Sequence, residues 1–301
     1  HTWATTTSLR TALKRLTVQD KQIQCWSMSA GWVPKWLPRA NGLPNPMQQV
    51  DIERLRGACQ RVEVMPLSLA EKAHLIGSAA TSKLTFDIFV HPLSRRDLAK
   101  WRAKTTKAVW GHGSPARCQE LVMTLLCKGH LVDPLQAAVV RILRINKRML
   151  ARYPDSQGLF LASLLRRAPT ILQGCPVPPM RRAHSQLEFG TACQFLWALG
   201  QLRWRMASAS EIKRPNGETI SLASADDSYF LHVVREDLRS ALWQEASARR
   251  SDLDGLSTHP IDRQATLHLY NELRGLVRRN LATIIVGGLQ TCSRLYKQRK
   301  L

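Results

Sequence analysis

The sequence predicts a mainly α-helical protein: a helical bundle followed by a second helical region with one short β-hairpin. Three observations lead there. Capping signals recur just ahead of apolar runs. Those runs repeat at helical spacing instead of alternating. A single stretch, 211–222 (EIKRPNGETISL), sets Pro-Asn-Gly between two short runs with Ile and Thr, the pattern of a hairpin.

Taken in order, residues 1–47 read as irregular. A short basic helix over 8–16 precedes a strand over 22–28. GWVPKWLPRANGLPNP follows, with four prolines and two glycines that break any long element. Trp26, Trp32 and Trp36 suit either a base-stacking platform or a plug for a core edge, the commoner use of aromatics.

From 47 to 111 the pattern is helical, with a break at Met65-Pro66 and a stretch over 84–90 that fits helix or strand. Ser68 with Glu71, and Ser94 with Asp97, have capping-box spacing. The helix after Ser94 is two-sided. Leu98, Trp101, Thr105 and Ala108 share one face, and Arg96, Lys100, Lys104 and Lys107 share another that carries no acid.

A loop over 111–116 leads to a helix over 118–128 that Gly129 ends. Asp133-Pro134 then opens a helix to about 153, with proline in its first turn. Leu135, Val139, Ile142 and Met149 form its apolar side, and Arg141, Arg144, Arg148 and Arg152 line another. A short helix over 158–167 and the linker GCPVPPMRR follow. The domain boundary is expected at 168–180, separating helical regions 48–167 and 181–301. The second region holds helices over 184–209 (core Phe195, Leu196, Leu199, Leu202), 226–252, 262–274 and 276–297, with Arg294, Lys297, Arg299 and Lys300 crowding its end.

The charge balance narrows the function. Lys and Arg number 44 against 22 Asp and Glu, a formal net charge of +22 over 301 residues. A hydrophobic fraction of 44% is that of a folded protein and not of a basic tail. So large a surplus repels itself unless a polyanion relieves it, and nucleic acid is the first candidate. A membrane surface is the rival, but no apolar run of spanning length is present. No secretory leader is seen, and His1 in place of Met suggests a chain cut from a longer one. The seven cysteines are widely spaced, which points to reduced, buried thiols in an intracellular protein. With nucleic acid as the partner, the expected compartment is the nucleus.

Catalytic patterns are missing. There is no phosphate-binding Gly-rich loop, no H-E-x-x-H and no G-x-S-x-G. Adjacent Asp226-Asp227 has the composition of a two-metal site, but the sequence around it has helical periodicity. Acids in a first helical turn need no further role. No metal site is therefore expected. The basic stripes remain. Arg96, Lys100, Lys104, Lys107, Arg141, Arg144 and Arg148 are the candidate nucleic-acid-binding residues, spaced to touch phosphates about one turn apart.

One stretch also has a recognisable wording. Pro66-Leu67-Ser68-Leu69-Ala70-Glu71-Lys72-Ala73-His74-Leu75-Ile76, then Pro92-Leu93-Ser94, then Lys107-Ala108-Val109-Trp110-Gly111 resembles the region after the palm of reverse transcriptases from non-LTR, LINE-like retroelements of protist type. Arg117-Cys118-Gln119-Glu120-Leu121-Val122, Gly129-His130-Leu131-Val132-Asp133-Pro134 and Gly287-Gly288-Leu289-Gln290-Thr291 extend it. The resemblance covers 1–160 and, more thinly, 160–301. It implies that 1–47 is the end of a palm or a linker, and that 48–167 is a thumb and connection gripping an RNA–DNA template–primer duplex by its backbone. The palm's metal-binding aspartates would lie upstream and a zinc knuckle downstream. The chain would then be a polymerase fragment with no cofactor of its own and no polymerising activity, and Mg²⁺ would belong to the full-length parent. Two alternatives stand beside it: a stand-alone basic helical RNA- or DNA-binding module, and a non-functional relic of a decayed element.

Overall fold

The computed structural model describes residues 17–18, 21–22, 46–86, 88, 95–111, 117–153, 155, 160, 191–208, 210–258 and 261–286. The chain divides into two compact units, 1–55 and 56–301. In the first, β1 (Thr17–Val18) pairs antiparallel with β2 (Lys21–Gln22), Thr17 opposite Gln22. The helix expected over 8–16, the strand beyond Gln22 and the three tryptophans lie outside the described residues. Helix α1 (Pro46–Val64) spans the division.

The second unit is the helical one, and the mainly α fold read from the sequence is the fold observed. After the break at 65–68, Ser68 caps α2 (Leu69–Ile76). The Glu71 amide donates to Ser68 Oγ at 3.3 Å, and the Ser68 amide donates to Glu71 Oε2 at 2.8 Å. The capping box satisfies two otherwise unpaired amides. The helix then widens over Gly77–Thr81, where the Ser82 amide reaches back to the Gly77 carbonyl. That wider turn sets buried Thr81 against the neighbouring chain, its Oγ1 donating to the Val132 carbonyl at 2.7 Å. Short α3 (Ser82–Leu84) takes in only the first residue of the stretch over 84–90; Thr85, Phe86 and Ile88 are turn, and its other residues lie outside the described ones. The cap expected at Ser94 lies outside the described residues.

Helix α4 (Arg95–Trp110) buries the face its periodicity marks: Leu98, Trp101, Thr105 and Ala108 are all in the interior. The helix expected over 118–128 is instead α5 (Gln119–Leu121), running into a wide turn over Val122–Leu126 that is wholly buried. Gly129 does not stop it; extended backbone at Cys127 does. Gly129 opens α6 (Gly129–Val132), in a space where a Cβ would stand 2.5 Å from the Gln136 amide. Asp133 then caps α7 (Pro134–Arg152), accepting from the Leu135 amide at 3.0 Å.

The main core lies between α7, α8 (Thr191–Leu202), a small sheet and α9 (Asp227–Arg249). Ile142, Leu143 and Leu150 meet Phe195, Leu199, Phe230 and Leu238 there. The linker at 168–180 lies outside the described residues, yet the helices before and after it share this single core. Residues 56–301 are accordingly one unit and not two. Helix α8 ends at Leu202 and not near 209. Arg203 adopts φ +57°, the Trp204 amide turns back to the Leu199 carbonyl, and the chain enters β3 (Arg205–Met206).

The expected hairpin is β4 (Glu211–Lys213) with β5 (Thr219–Ser221), Ile212 opposite Ile220. Gly217 at φ +91° makes its turn. Strand β3 adds a third member, Met206 opposite Ile212. Trp204 is fully buried, and its Nε1 donates to Asp237 Oδ2 at 2.7 Å. Arg214 grips the same carboxylate through Nη2 at 2.6 Å, which fastens the sheet to α9. A tight helical turn (Ser251–Ser257), α10 (Arg263–Glu272) and α11 (Gly275–Ile285) complete the described chain.

Candidate nucleic-acid interface

Helix α4 presents its basic stripe to solvent, opposite its buried face. Arg96, Lys100 and Lys107 are exposed and Lys104 is half-buried. The stripe is not free of acids, as the sequence reading had it. Lys100 Nζ lies 3.9 Å from Asp97, and Lys107 Nζ lies 3.5 Å from Glu63 on α1. Lys104 sits over the Trp101 ring, 4.7 Å from its centroid. These are loose, exposed arrangements that screening by water and salt weakens, and they leave the lysines open to a stronger anion. Among the described residues Arg96 forms no ion pair.

The α7 stripe is used up to a greater degree. Arg141 donates to the Ser82 carbonyl at 3.3 Å and to Thr85 Oγ1 at 3.2 Å, and stacks over Phe86. Arg148 Nε donates to Asp227 Oδ2 at 3.3 Å. Buried Lys147 donates to Asp227 Oδ1 at 2.7 Å. Of the three arginines singled out on α7, only Arg144 is exposed with no ion pair among the described residues. The expectation of two equivalent open stripes is therefore corrected. Helix α4 keeps its lysines at the surface, whereas α7 spends Arg141 and Arg148 on holding neighbouring segments.

A largely buried ion-pair network joins α4 to its neighbours, and nothing in the sequence pattern marks it. Arg102 projects from α4 and grips Asp133 with two bonds, Nε to Oδ1 at 2.9 Å and Nη2 to Oδ2 at 3.1 Å. Glu120 lies 3.8 Å from Arg102 and accepts from Arg249 Nη2 at 2.6 Å. Burial would raise the Glu120 pKa, but Arg102 and Arg249 outweigh it and hold the carboxylate below its usual range. Burial likewise works against the charge on Arg102, and Asp133, with Glu120 and Glu245, more than restores it. The network ties α4, α5, the start of α7 and the end of α9 together.

The middle of α9 holds basic residues that were also missed. Arg235 lies on the exposed side of α9, and its pKa is lowered first by partial burial and then by Arg144 of α7. Half-buried His130 feels Arg235, Lys128 and Arg263, and is pushed down to about 4, first by burial and then by those cations. Glu236 and Asp237 interrupt the basic spacing on α9, so no stripe is visible in the sequence there.

Asp226 and Asp227 have structural partners, as their helical setting predicts. Asp226 caps α9, accepting from the Ser228 and Tyr229 amides at 2.8 and 3.0 Å, and Asp227 holds Lys147 and Arg148. Among the described residues no group of three or more His, Cys, Asp or Glu is placed to hold a metal. Cys59, Cys118, Cys127 and Cys193 are buried and form no disulfide among the described residues. Burial pushes Cys118 up to about 11, with Glu120 adding to it, and Cys127 up to about 12, so both stay protonated thiols at neutral pH. No helix among the described residues is long and apolar enough to cross a membrane. No protein-family model, no curated protein and no solved structure matches this chain.

Proposed function

We propose that this chain grips nucleic acid by its phosphate backbone, as the thumb and connection region of a retroelement reverse transcriptase, without the palm that would polymerise. The observation that carries the reading is a net charge of +22 on a folded helical protein. Self-repulsion of that size favours a polyanionic partner. The resemblance of the run from Pro66 to Gly111 supplies the class of protein and, with it, a template–primer duplex as the ligand. Exposed Arg96, Lys100, Lys107 and Arg144 and half-buried Lys104 are the contacts we favour. Such contacts position a duplex without reading its sequence. Mg²⁺ belongs to the upstream palm in this reading. A stand-alone nucleic-acid-binding module is the second reading, favoured by the single core that residues 56–301 share.

Binding of an RNA–DNA duplex across a salt series tests both. Each phosphate neutralised is expected to add about −0.7 to −0.9 to the slope of log K against log salt. The combined change Lys100→Glu, Lys104→Glu and Lys107→Glu is expected to weaken binding and flatten the slope. An affinity that ignores salt would sink the proposal. Primer extension with Mg²⁺ by the same purified chain would refute the missing palm.

A further inference from the structure

Phe86 stands out of the surface between residues that are turned in. Thr85 and Ile88 are each 2% exposed, whereas Phe86 is 62% exposed. A phenylalanine left in water forgoes most of the gain its burial would bring, so its placement has to be held by something. Helix α3 ends at Leu84, and the Phe86 amide closes a turn onto the Lys83 carbonyl at 3.3 Å. That turn is pinned from two directions. Thr85 Oγ1 donates to the Thr81 carbonyl at 2.8 Å, and Thr81 Oγ1 donates to the Val132 carbonyl at 2.7 Å. From α7, Arg141 donates to the Ser82 carbonyl at 3.3 Å and to Thr85 Oγ1 at 3.2 Å. With Thr81, Ser82 and Thr85 all held, the backbone at Phe86 is fixed at the surface.

The same arginine lies over the Phe86 ring, its Cζ 5.8 Å from the centroid. With Arg141 on one face, exposure of this size leaves the other face open. Two more cations stand on the elements that hold the ring: Lys83 on the turn, and Arg144, about one turn beyond Arg141 on α7. Both are exposed, and neither forms an ion pair among the described residues. Single exposed apolar residues are ordinary on protein surfaces. An exposed ring braced by a guanidinium, with unpaired cations on both supporting elements, offers something more: a face for a base and charges for the phosphates beside it.

We propose that Phe86, braced by Arg141, is a stacking platform for an unpaired nucleobase, with Lys83 and Arg144 taking the phosphates beside it. The platform deepens the nucleic-acid reading and rests on it. That reading supplies a backbone grip on paired strands, and the platform adds a contact to a base outside the duplex. Every base has a π-face, so the contact favours single strand without choosing a sequence.

The test is binding of the full chain to three ligands: a blunt RNA–DNA duplex, the same duplex with a single-stranded overhang, and that overhang made of abasic residues. The two overhangs carry the same phosphates and differ only in their bases. The wild-type chain is expected to bind the overhang with bases at least about five-fold more tightly than the abasic one. Phe86→Ala is expected to abolish that difference, and Phe86→Trp to keep it. Leu276→Ala, which trims an exposed apolar side chain on α11, is expected to keep it too. Lys83→Ala/Arg144→Ala is expected to weaken both overhangs and to lower the salt slope by about 0.7 for each cation lost. An unchanged slope would overturn the part given to these two cations.

A wild-type chain that binds both overhangs equally, or a Phe86→Ala variant that still tells them apart, overturns the platform. If the blunt duplex is nevertheless bound with a steep salt dependence, the backbone grip stands without it. A Phe86→Ala variant that loses the same factor on all three ligands overturns the platform as well, because the ring then acts through the fold and not on a base. A chain that binds none of the three refutes the nucleic-acid reading itself, and the platform falls with it.

Discussion

The two ends of α9 and its middle meet neighbouring elements with different electrostatics. At the ends, cation meets acid: Lys147 and Arg148 on Asp227, and Arg249 on Glu120. In the middle, Asp237 still holds Arg214 of the sheet, but towards α7 and α6 Arg144 acts on Arg235 and Arg235 acts on His130. The ends define the register, and the middle accepts what that register imposes. Like charges held this way persist only where surrounding packing over-determines them. The fully buried Phe230 and Val234 and the nearly buried Leu238 supply that packing on the inner face of α9.

The ends should therefore be where stability is lost, and the largest effect is expected one step further in. Asp133 is fully buried under Arg102, to which it is bonded twice, and also caps α7. Asp133→Ala removes the cap and leaves Arg102 buried without its main partner. A cost of about 3–5 kcal/mol is expected, read as a lower urea midpoint with an unchanged slope. The paired change Asp133→Ala/Arg102→Met is expected to cost less than the single one, because the stranded charge goes too. If the single variant melts like the wild type, the network does not hold the helices.

What the sequence disclosed follows the same division. Leu98, Trp101, Thr105 and Ala108 were legible as a buried face because the spacing of one helix determines it. The cap at Ser68 was legible because its partner Glu71 lies three residues away. The charge on Arg148 was misread because Asp227, its partner, lies 79 residues away. Arg102 escaped notice for the same reason; nothing near it in the chain shows that Asp133 will be its counter-ion. Pro-rich 168–180 has the composition of a linker, and composition does not reveal that Leu143 and Phe230 share a core across it. Strand β3 has two residues, too few for alternation to show.

An intermediate effect tests the middle of α9 directly. His130 is held near 4, against an ordinary value of 6.5, by burial first and by Arg235, Lys128 and Arg263 after it. A histidine depressed on folding binds its proton better in the unfolded chain. Above about 6.5 it is neutral in both states and contributes nothing. As pH falls from 6.5 to 4, protonation of the unfolded chain pulls the equilibrium towards unfolding, and below 4 the loss levels off. The ring is half-exposed, so screening limits the loss to roughly 1–2 kcal/mol. His130→Asn is expected to remove that part of the acid destabilisation. The check is the difference between the two stability-against-pH curves. Parallel curves through this window would mean that the cations are too far from the ring to matter.

The smallest effect on stability is expected at Lys100, and it separates a grip from a solvated face. Its pair with Asp97 is 3.9 Å long and more than half exposed on both sides. Such a pair contributes little, so Lys100→Ala is expected to shift the urea midpoint by less than about 0.5 kcal/mol. Arg148→Ala is expected to behave the same way, since Lys147 remains on Asp227. The two should part company in duplex binding. Lys100 faces solvent on a stripe whose acids are only loosely engaged, so its loss should lower the salt slope by close to one contact. Arg148 is already bonded to Asp227, and removing it should leave the slope nearly unchanged. Equal slopes for the two variants would mean that the α4 stripe is no better placed to meet phosphate than the α7 stripe, and that distance from an acid does not decide which cations are available.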